Sequence, residues 1–470
     1  MTFKAGLPKP LHHVYTVFHK AGFDLYLVGG IMKHLLKYEN LLEYKHMKDW
    51  DLTTNATPEQ MLSLFPDGFY NNQFGTVGIP VTDGDDEFVI EVTTFRSESE
   101  YKDRRHPEKV EWGKSIEEDV ARRDFTINAI VGKLLPVEDS PVLNSIEVID
   151  LYNGQQDFKD KIIRAVGDPD VRFKEDALRM MRAVRFAVQM GFTIDPKTLE
   201  AITRDSALLS EISYERIYEE LMKILASDYP YEGVMLLKNT NLLQYILPEL
   251  LEGIGLSQER PGRHHKDDVF THNVLSLKYC PSTDPLVRFA TLIHDVGKPR
   301  VQSADEDGLV IFYNHEIAGA RLAYQIAERL RFSKKDREKI VKLVRWHMFT
   351  VDEKITDAAV RRFIRRIGVE NVQDMMDLRV GDRLGGGTQT AESWRLKLFK
   401  RRLEEQLAPE PFSIKDLAIN GHDIMQECNL PPGREIGVLQ QKLFEEVDED
   451  LEKNTKEYLL KRVKELLLDK

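Results

Sequence analysis

Cysteine is nearly absent from this chain. There are two in 470 residues, Cys280 and Cys428, far apart and without metal-ligand spacing. That argues against disulfides and suits a reducing cytoplasm. Long apolar runs are missing too. No segment approaches a membrane span, and the leading MTFKAGLPKPLHHV has no apolar signal core. An excess of positive charge is also lacking. Lys and Arg number 66 against 78 Asp and Glu, a net charge of −12, so global charge does not announce a nucleic-acid binder. Local basic patches can still serve that purpose. No low-complexity segment or internal repeat stands out. What remains is an ordinary globular composition, 42% hydrophobic and 31% charged. The length allows about two to four domains.

The texture changes along the chain. YLVGG, DWDLTT, GTVGIPV, FVIEVTTF and EVIDLY read as strands, by β-branched and aromatic content between Gly, Asp and Asn. Beyond Asp168 helical periodicity dominates. EDALRMMRAVRFAVQMGF predicts one long helix ending at Gly191, and SYERIYEELMKILAS predicts a helix capped by Ser213 with Glu215 in its first turn. Pro409 and Pro411 mark a late break. The expected fold is an α+β head with a mixed sheet (residues 1–165). Three all-α parts follow: a neck (166–228), a His-rich body (229–405) and a tail (406–470).

Five constellations carry chemistry. In LVGGIMKHLLKYENLLEYKHMKDWDLTTNA, Gly29 and Gly30 follow an apolar run and open a helix-like segment. They let backbone N–H groups approach a triphosphate. Asp49 and Asp51 follow, one residue apart, and on a strand they would point to one face. Such a pair suits one or two Mg²⁺ ions, and beside a phosphate cradle it is what nucleotidyl transfer needs. Two solvated aspartates after an ordinary turn are the plainer alternative. Glu91, on another strand-like run, is a candidate third carboxylate or an exposed strand residue. In ARRDFTINAI, Arg122 and Arg123 suit phosphate oxygens, beside the polar positions Asp124 and Asn128. A helix cap with surface arginines would look the same.

The fourth group is Glu175 and Asp176 with Arg179, Arg182 and Arg185. On one helix, Asp176 and Arg179 would be neighbours. Cytosine and adenine each present an amino donor beside a ring-nitrogen acceptor. A carboxylate and an arginine match that edge, whereas guanine and uracil reverse it and leave polar groups unpaired. A surface salt bridge is the commoner meaning of such a pair. The fifth group is His272, His294 with Asp295, His315, His347 and Asp382. A lone His is usually structural, but this set suits a mononuclear or dinuclear divalent metal site.

These motifs, in order, resemble the tRNA nucleotidyltransferases. These are CCA-adding enzymes of the bacterial class that shares its head with bacterial poly(A) polymerases, within the polymerase-beta-type superfamily. LVGG, DWDLTTNA, EVTTFR, RRDFTINA, EDALRMMRAVRF and SYERIYEEL cover head and neck. INGHDIM and PPGREIG extend the likeness into the tail, and the His-rich part resembles an HD phosphohydrolase domain. The resemblance implies catalytic Mg²⁺ on Asp49 and Asp51 with Glu91 as third carboxylate. It implies nucleotide contacts by Arg122, Arg123 and Asp124, base reading by Asp176 and Arg179, and support from Arg182 and Arg185. The implied substrates are CTP, ATP and the tRNA 3′ end. The family usually continues LVGG with an Arg-Asp pair, where this chain has Lys33 and His34. Lys33 keeps a cation for the triphosphate but not the bidentate fork.

Other readings stay open. One is an A-adding enzyme that finishes ends begun by a CC-adding partner. SESEYKDRRHPEKVEW (97–112) resembles the loop that full CCA-adding and A-adding members keep. A poly(A) polymerase is disfavoured by GTVGIPV and by the His set. A phosphohydrolase or RNA-binding protein with an inert head is the alternative of a different class. Arg361, Arg362, Arg365, Arg366 and RLKLFKRR (395–402) are candidate RNA patches, or solvated helix faces.

Overall fold

The structure, a computed structural model, describes residues 2–38, 50–72, 75–83, 86–95, 112–113, 115–137, 140–258, 267–349, 351–352, 354–407 and 413–468. Asp49, Pro409, Pro411 and the 97–112 segment other than Trp112 lie outside those residues. The chain divides into two compact units, Met1–Pro248 and Glu249–Lys470.

The first unit is built on an eight-stranded mixed sheet. Its strands are β1 (Thr2–Gly6), β2 (Leu25–Leu27), β3 (Trp50–Thr54), β4 (Phe69–Asn72), β5 (Thr76–Asp83), β6 (Asp86–Thr94), β7 (Val131–Val137) and β8 (Ser140–Ile149). The order is β1-β8-β7-β2-β3-β6-β5-β4, and β3 with β6 is the parallel pair. Alternation sorts the side chains. Leu25, Leu27, Trp50, Leu52, Ile90 and Val92 join one core, together with Leu11, Val14 and Phe18 of the amphipathic helix Lys9–Lys20. Tyr26 and Val28 join a second, smaller core on the other side. Asp51 and Glu91 therefore share the face turned away from the large core, as in-register partners of β3 and β6.

Helices follow the sheet. The expected single helix over 175–192 is two elements, Pro169–Glu175 and Leu178–Met190. Asp176 is extended (φ −148°, ψ 103°) and ends the first. Gly191, at φ +64°, ends the second, where a left-handed cap suits glycine. Ser213 does precede the helix Tyr214–Leu225, without a side-chain capping bond. The sequence reading missed β1, β4 and β7, and EVIDLY leaves its strand at Ile149.

Among its described residues the second unit is helical apart from a two-stranded pairing of Ser303–Ala304 with Val310–Ile311 and an isolated bridge between Ser257 and Asp268. Val269–Tyr279 packs against Val372–Gly385 so closely that a β-carbon on Gly381 would lie 2.6 Å from the Ser276 carbonyl oxygen. The last three helices, Gly421–Cys428, Arg434–Glu449 and Lys456–Leu468, close over their own apolar core. Among the described residues no helix is long and apolar enough to cross a membrane.

Candidate functional site

Three polar turns of the first unit converge on a cavity of about 660 Å³. The first turn follows β2. Gly29, at φ +70°, lies so close to Asp51 that a β-carbon there would sit 2.9 Å from Oδ2. Only glycine combines that conformation with that approach. Gly30 then starts the helix Gly30–Tyr38, whose first N–H groups lack helical partners. One turn on, the Lys33 ammonium lies over the Phe186 ring, 4.7 Å from its centroid. Burial lowers Lys33 to about 8; Arg185 and Arg182 push the same way, against Asp124 and Asp51.

The second turn is Arg122–Asn128. Arg123 is already bound within the protein, to Asp119 at 3.0 Å and to the Asn128 carbonyl at 2.9 Å. It braces the turn. Asp124 is buried, which alone would raise its pKa, but Arg182 and Asn128 hold it down to about 2. Arg182 Nη2 is 2.6 Å from its Oδ2, and the Asn128 amide donates to Oδ1 at 2.9 Å.

The third turn corrects the helix-neighbour reading. Asp176 and Arg179 are not side by side on one helix, because the chain breaks between Glu175 and Leu178. Both still line the cavity. Arg179 binds Glu175 at 2.6 Å and the Arg122 carbonyl at 3.0 Å. Asp176 is gripped by Arg216, whose two terminal nitrogens lie 3.1 and 2.7 Å from its two oxygens. Arg185 binds Glu220 at 3.0 Å and lies over Phe186. The sequence reading missed Arg216. The signal was its place four residues before Glu220 in SYERIYEEL, which sets both on one helix face.

Asp51, Gly29, Gly30, Lys33, Arg122 to Asp124, Asn128, Asp176, Arg179, Arg182 and Arg185 all line this one cavity. Glu91 stands beside Asp51 across the sheet without lining it.

The second unit gathers the six remaining candidates. His272 comes from Val269–Tyr279 and Asp382 from Val372–Gly385. His294 and Asp295 lie in the turn after the helix Pro285–Leu292. His315 opens one helix and His347 closes another. Asp295 is central. Its Oδ2 is 3.3 and 3.4 Å from Nε2 of His272 and His294, and its Oδ1 is 3.3 and 3.5 Å from Nε2 of His315 and His347. Asp382 completes the first half, 3.4 Å from His272.

Nδ1 of His294, His315 and His347 lies 2.7, 2.8 and 2.7 Å from the carbonyls of Thr291, Phe312 and Val344. Those carbonyls fix the Nδ1–H tautomer and leave Nε2 lone pairs facing inward, which is how metal-ligating imidazoles are held. Against burial, Asp295 and Asp382 hold His294 up at about 10, so an ion binding at its Nε2 would have to displace a proton. His272, His294 and Asp382 form one group that could hold an ion and His294, Asp295 and His347 another, with His315 beside Asp295; these donors fit divalent ions.

Part of the basic patches is paired within the protein. Arg361 and Arg365 both bind the buried Asp448, at 2.7 and 2.5 Å. Arg362 reaches Glu449 at 3.3 Å, and Arg366 lies over Trp346. In the 395–402 run, Lys400 pairs with Glu392 and Arg401 with Glu405.

Three family models match the chain: a poly A polymerase head domain over residues 25–164, a probable RNA and SrmB-binding site of polymerase A over 191–253, and an HD domain over 274–397. The A-adding tRNA nucleotidyltransferase of Deinococcus radiodurans is 35% identical over 344 residues, 70% of this chain and 75% of its own. The CCA-adding enzyme of Levilactobacillus brevis is 43% identical over 233 residues, 49% of this chain and 54% of its own, so there the match spans about half of the relative. The crystal structure of the Bacillus stearothermophilus CCA-adding enzyme in complex with CTP shares the fold, with a TM-score of 0.69 at 24% identity over 98% of each chain.

Proposed function

The chain belongs to the tRNA nucleotidyltransferases that carry a poly(A) polymerase-type head, and on that premise we propose that it adds CMP and AMP to the tRNA 3′ end. The terminal 3′-oxygen forms a bond to the α-phosphorus of CTP or ATP, and pyrophosphate leaves. One observation carries this reading: a single cavity joins Asp51, the glycine turn, Lys33 and the Asp176, Arg179 and Arg216 group.

The residues divide the work. Gly29 leaves Asp51 approachable, and the first N–H groups of the Gly30 helix face phosphate oxygens. Lys33 and Arg182 neutralise the triphosphate, with Asp124 fixing the Arg182 fork. Asp176, held by Arg216, accepts from the base amino group, and Arg179 donates to the ring nitrogen. Asp49 and Asp51, with Glu91, offer the hard oxygen donors that Mg²⁺ takes; bound there, it would activate the 3′-hydroxyl and steady the pyrophosphate.

The relatives' names divide between A-adding and CCA-adding. Full CCA addition is our reading. The test is incorporation of labelled CTP and ATP into tRNAs ending before the first C, before the second C and before the final A. C addition to the shortest tRNA supports it, and A addition alone reassigns the chain as A-adding.

A second reading concerns the His/Asp cluster. Asp295 turns one oxygen to each pair of imidazoles, which favours two divalent ions sharing one carboxylate. Together with the adjacent cations Lys298 and Arg379, this supports phosphoester hydrolysis. Release of p-nitrophenolate from bis(p-nitrophenyl) phosphate and of phosphate from nucleoside monophosphates by the Mn²⁺-loaded chain tests it.

A further inference from the structure

The second unit contains a cavity that neither activity uses. It measures about 360 Å³, and Phe349, Arg379, Arg383, Ser393, Trp394 and Arg395 form its wall. Three arginines line it and, among the described residues, no carboxylate does. The Nε–H donors of Arg379 and Arg383 are buried without an acceptor among the described residues. Native proteins rarely leave buried donors unpaired, so two on arginines of this cavity leave a place for an acceptor that a ligand could bring. Trp394 is a large apolar side chain left 57% exposed.

Arg379 links this cavity to the His/Asp cluster. It lines both, and it donates to the cluster carboxylate Asp382 at 2.8 Å. The chemistry of the second cavity narrows its ligand. A guanidinium group with free N–H donors matches phosphate oxygens. An exposed indole offers a face on which a nucleobase stacks. Inorganic phosphate would use the arginines and ignore the ring, whereas a nucleotide uses both.

We propose that this cavity binds the phosphate and base of a nucleotide joined to the one at the cluster, so that the ligand of this unit is an RNA strand end. The orientation of that strand rests on the cluster being a phosphoester site; occupancy of the cavity does not.

The test uses the full chain labelled with 5-fluorotryptophan. There are four Trp residues, and the ¹⁹F signal lost in Trp394→Phe assigns the reporter. Adenylyl-(3′,5′)-adenosine should shift that signal saturably with a midpoint below about 1 mM. Arg383→Gln should weaken the midpoint about tenfold and leave CTP incorporation unchanged. No shift with the dinucleotide, or an equal shift with inorganic phosphate alone, overturns the proposal. A second arm separates the two readings. The Mn²⁺-loaded chain is given a 3′-phosphorylated dinucleotide and bis(p-nitrophenyl) phosphate. Hydrolysis of neither removes the phosphoester reading and leaves the ¹⁹F result to decide the cavity. If both are hydrolysed, Arg383→Gln should raise KM for the dinucleotide only; an equal effect on both overturns the subsite.

Discussion

Gly29 and Asp51 approach so closely that a β-carbon on the glycine would stand 2.9 Å from the carboxylate oxygen Oδ2. Gly29→Ala adds that contact to the strain of φ +70°. Gly22→Ala is the control, because Gly22 has φ +82° and nothing within 4 Å. Both should lose about 1–2 kcal/mol of stability. Only Gly29→Ala should also slow nucleotide incorporation, by at least about tenfold, since it displaces a carboxylate in the reaction centre. Thermal unfolding and single-turnover incorporation separate the two effects. Equal rates in both variants would remove the close approach from the mechanism.

Asp49→Ala and Asp51→Ala should each abolish CTP and ATP incorporation and leave tRNA affinity within about threefold, because these carboxylates serve Mg²⁺ rather than RNA. Glu91→Gln should be milder, since Glu91 stands beside Asp51 across the sheet without lining the cavity. Filter binding beside incorporation tests both. Turnover near the native rate in either aspartate variant would reject the assignment.

Asp176→Ala should lose discrimination against UTP and GTP, because the polar mismatch that rejects them disappears. Arg216→Ala should lose part of it, about tenfold, since the carboxylate would no longer be held by a two-nitrogen clamp. Arg216→Lys should not restore it, as an ammonium cannot make that clamp. The measurement is kcat/KM for all four nucleotides. Unchanged selectivity in Asp176→Ala would mean that another group reads the base.

Some of this was legible from spacing alone, and some was not. Asp51 and Glu91 were readable because alternation in a strand fixes which face a residue takes, whatever the tertiary context. Asp176 was misplaced because helical periodicity runs straight through EDALRMMR, while the backbone turns at Asp176 and lets its carboxylate accept from the Leu178 N–H and pair with Arg216. The clamp on Asp176 comes from a residue 40 positions away, which no local pattern contains. The same limit applies to Arg361 and Arg365. They read as a free basic face, yet Asp448, on a distant helix, binds both. The residues of the His/Asp cluster were legible one by one, but their division about the two oxygens of Asp295 follows from how separate elements pack together.

Lys33 should give the head a pH signature. Burial first, then Arg185 and Arg182, lower it from 10.5 to about 8. The sign for stability is clear. Between about 8 and 10.5 the unfolded chain binds the proton that the folded chain has lost, so stability from this group rises with pH across that window. Catalysis runs the other way, because the triphosphate needs the cation. kcat/KM for CTP should fall as pH rises through about 8 and stay level in Lys33→Arg. If the two profiles coincide above pH 8, Lys33 does not serve the triphosphate.

The final prediction concerns the number of ions in the His/Asp cluster. Asp295 offers Oδ2 to His272 and His294 and Oδ1 to His315 and His347, with Asp382 on the first side. If each half holds one divalent ion, the halves should fail separately. After Mn²⁺ loading and dialysis, the native chain should retain about two ions by elemental analysis, His272→Ala and His347→Ala about one each, and Asp295→Ala almost none. Removing a shared ligand is worse than removing a terminal one, because it leaves both ions short of charge compensation. All of these variants should add nucleotides at the native rate, since the cluster and the nucleotide cavity lie in different compact units. Phosphoester hydrolysis should vanish in every one, because a two-ion reaction needs both partners. A native content of one ion that survives His347→Ala would reduce the site to His272, His294, Asp295 and Asp382 and remove His315 and His347 from metal binding.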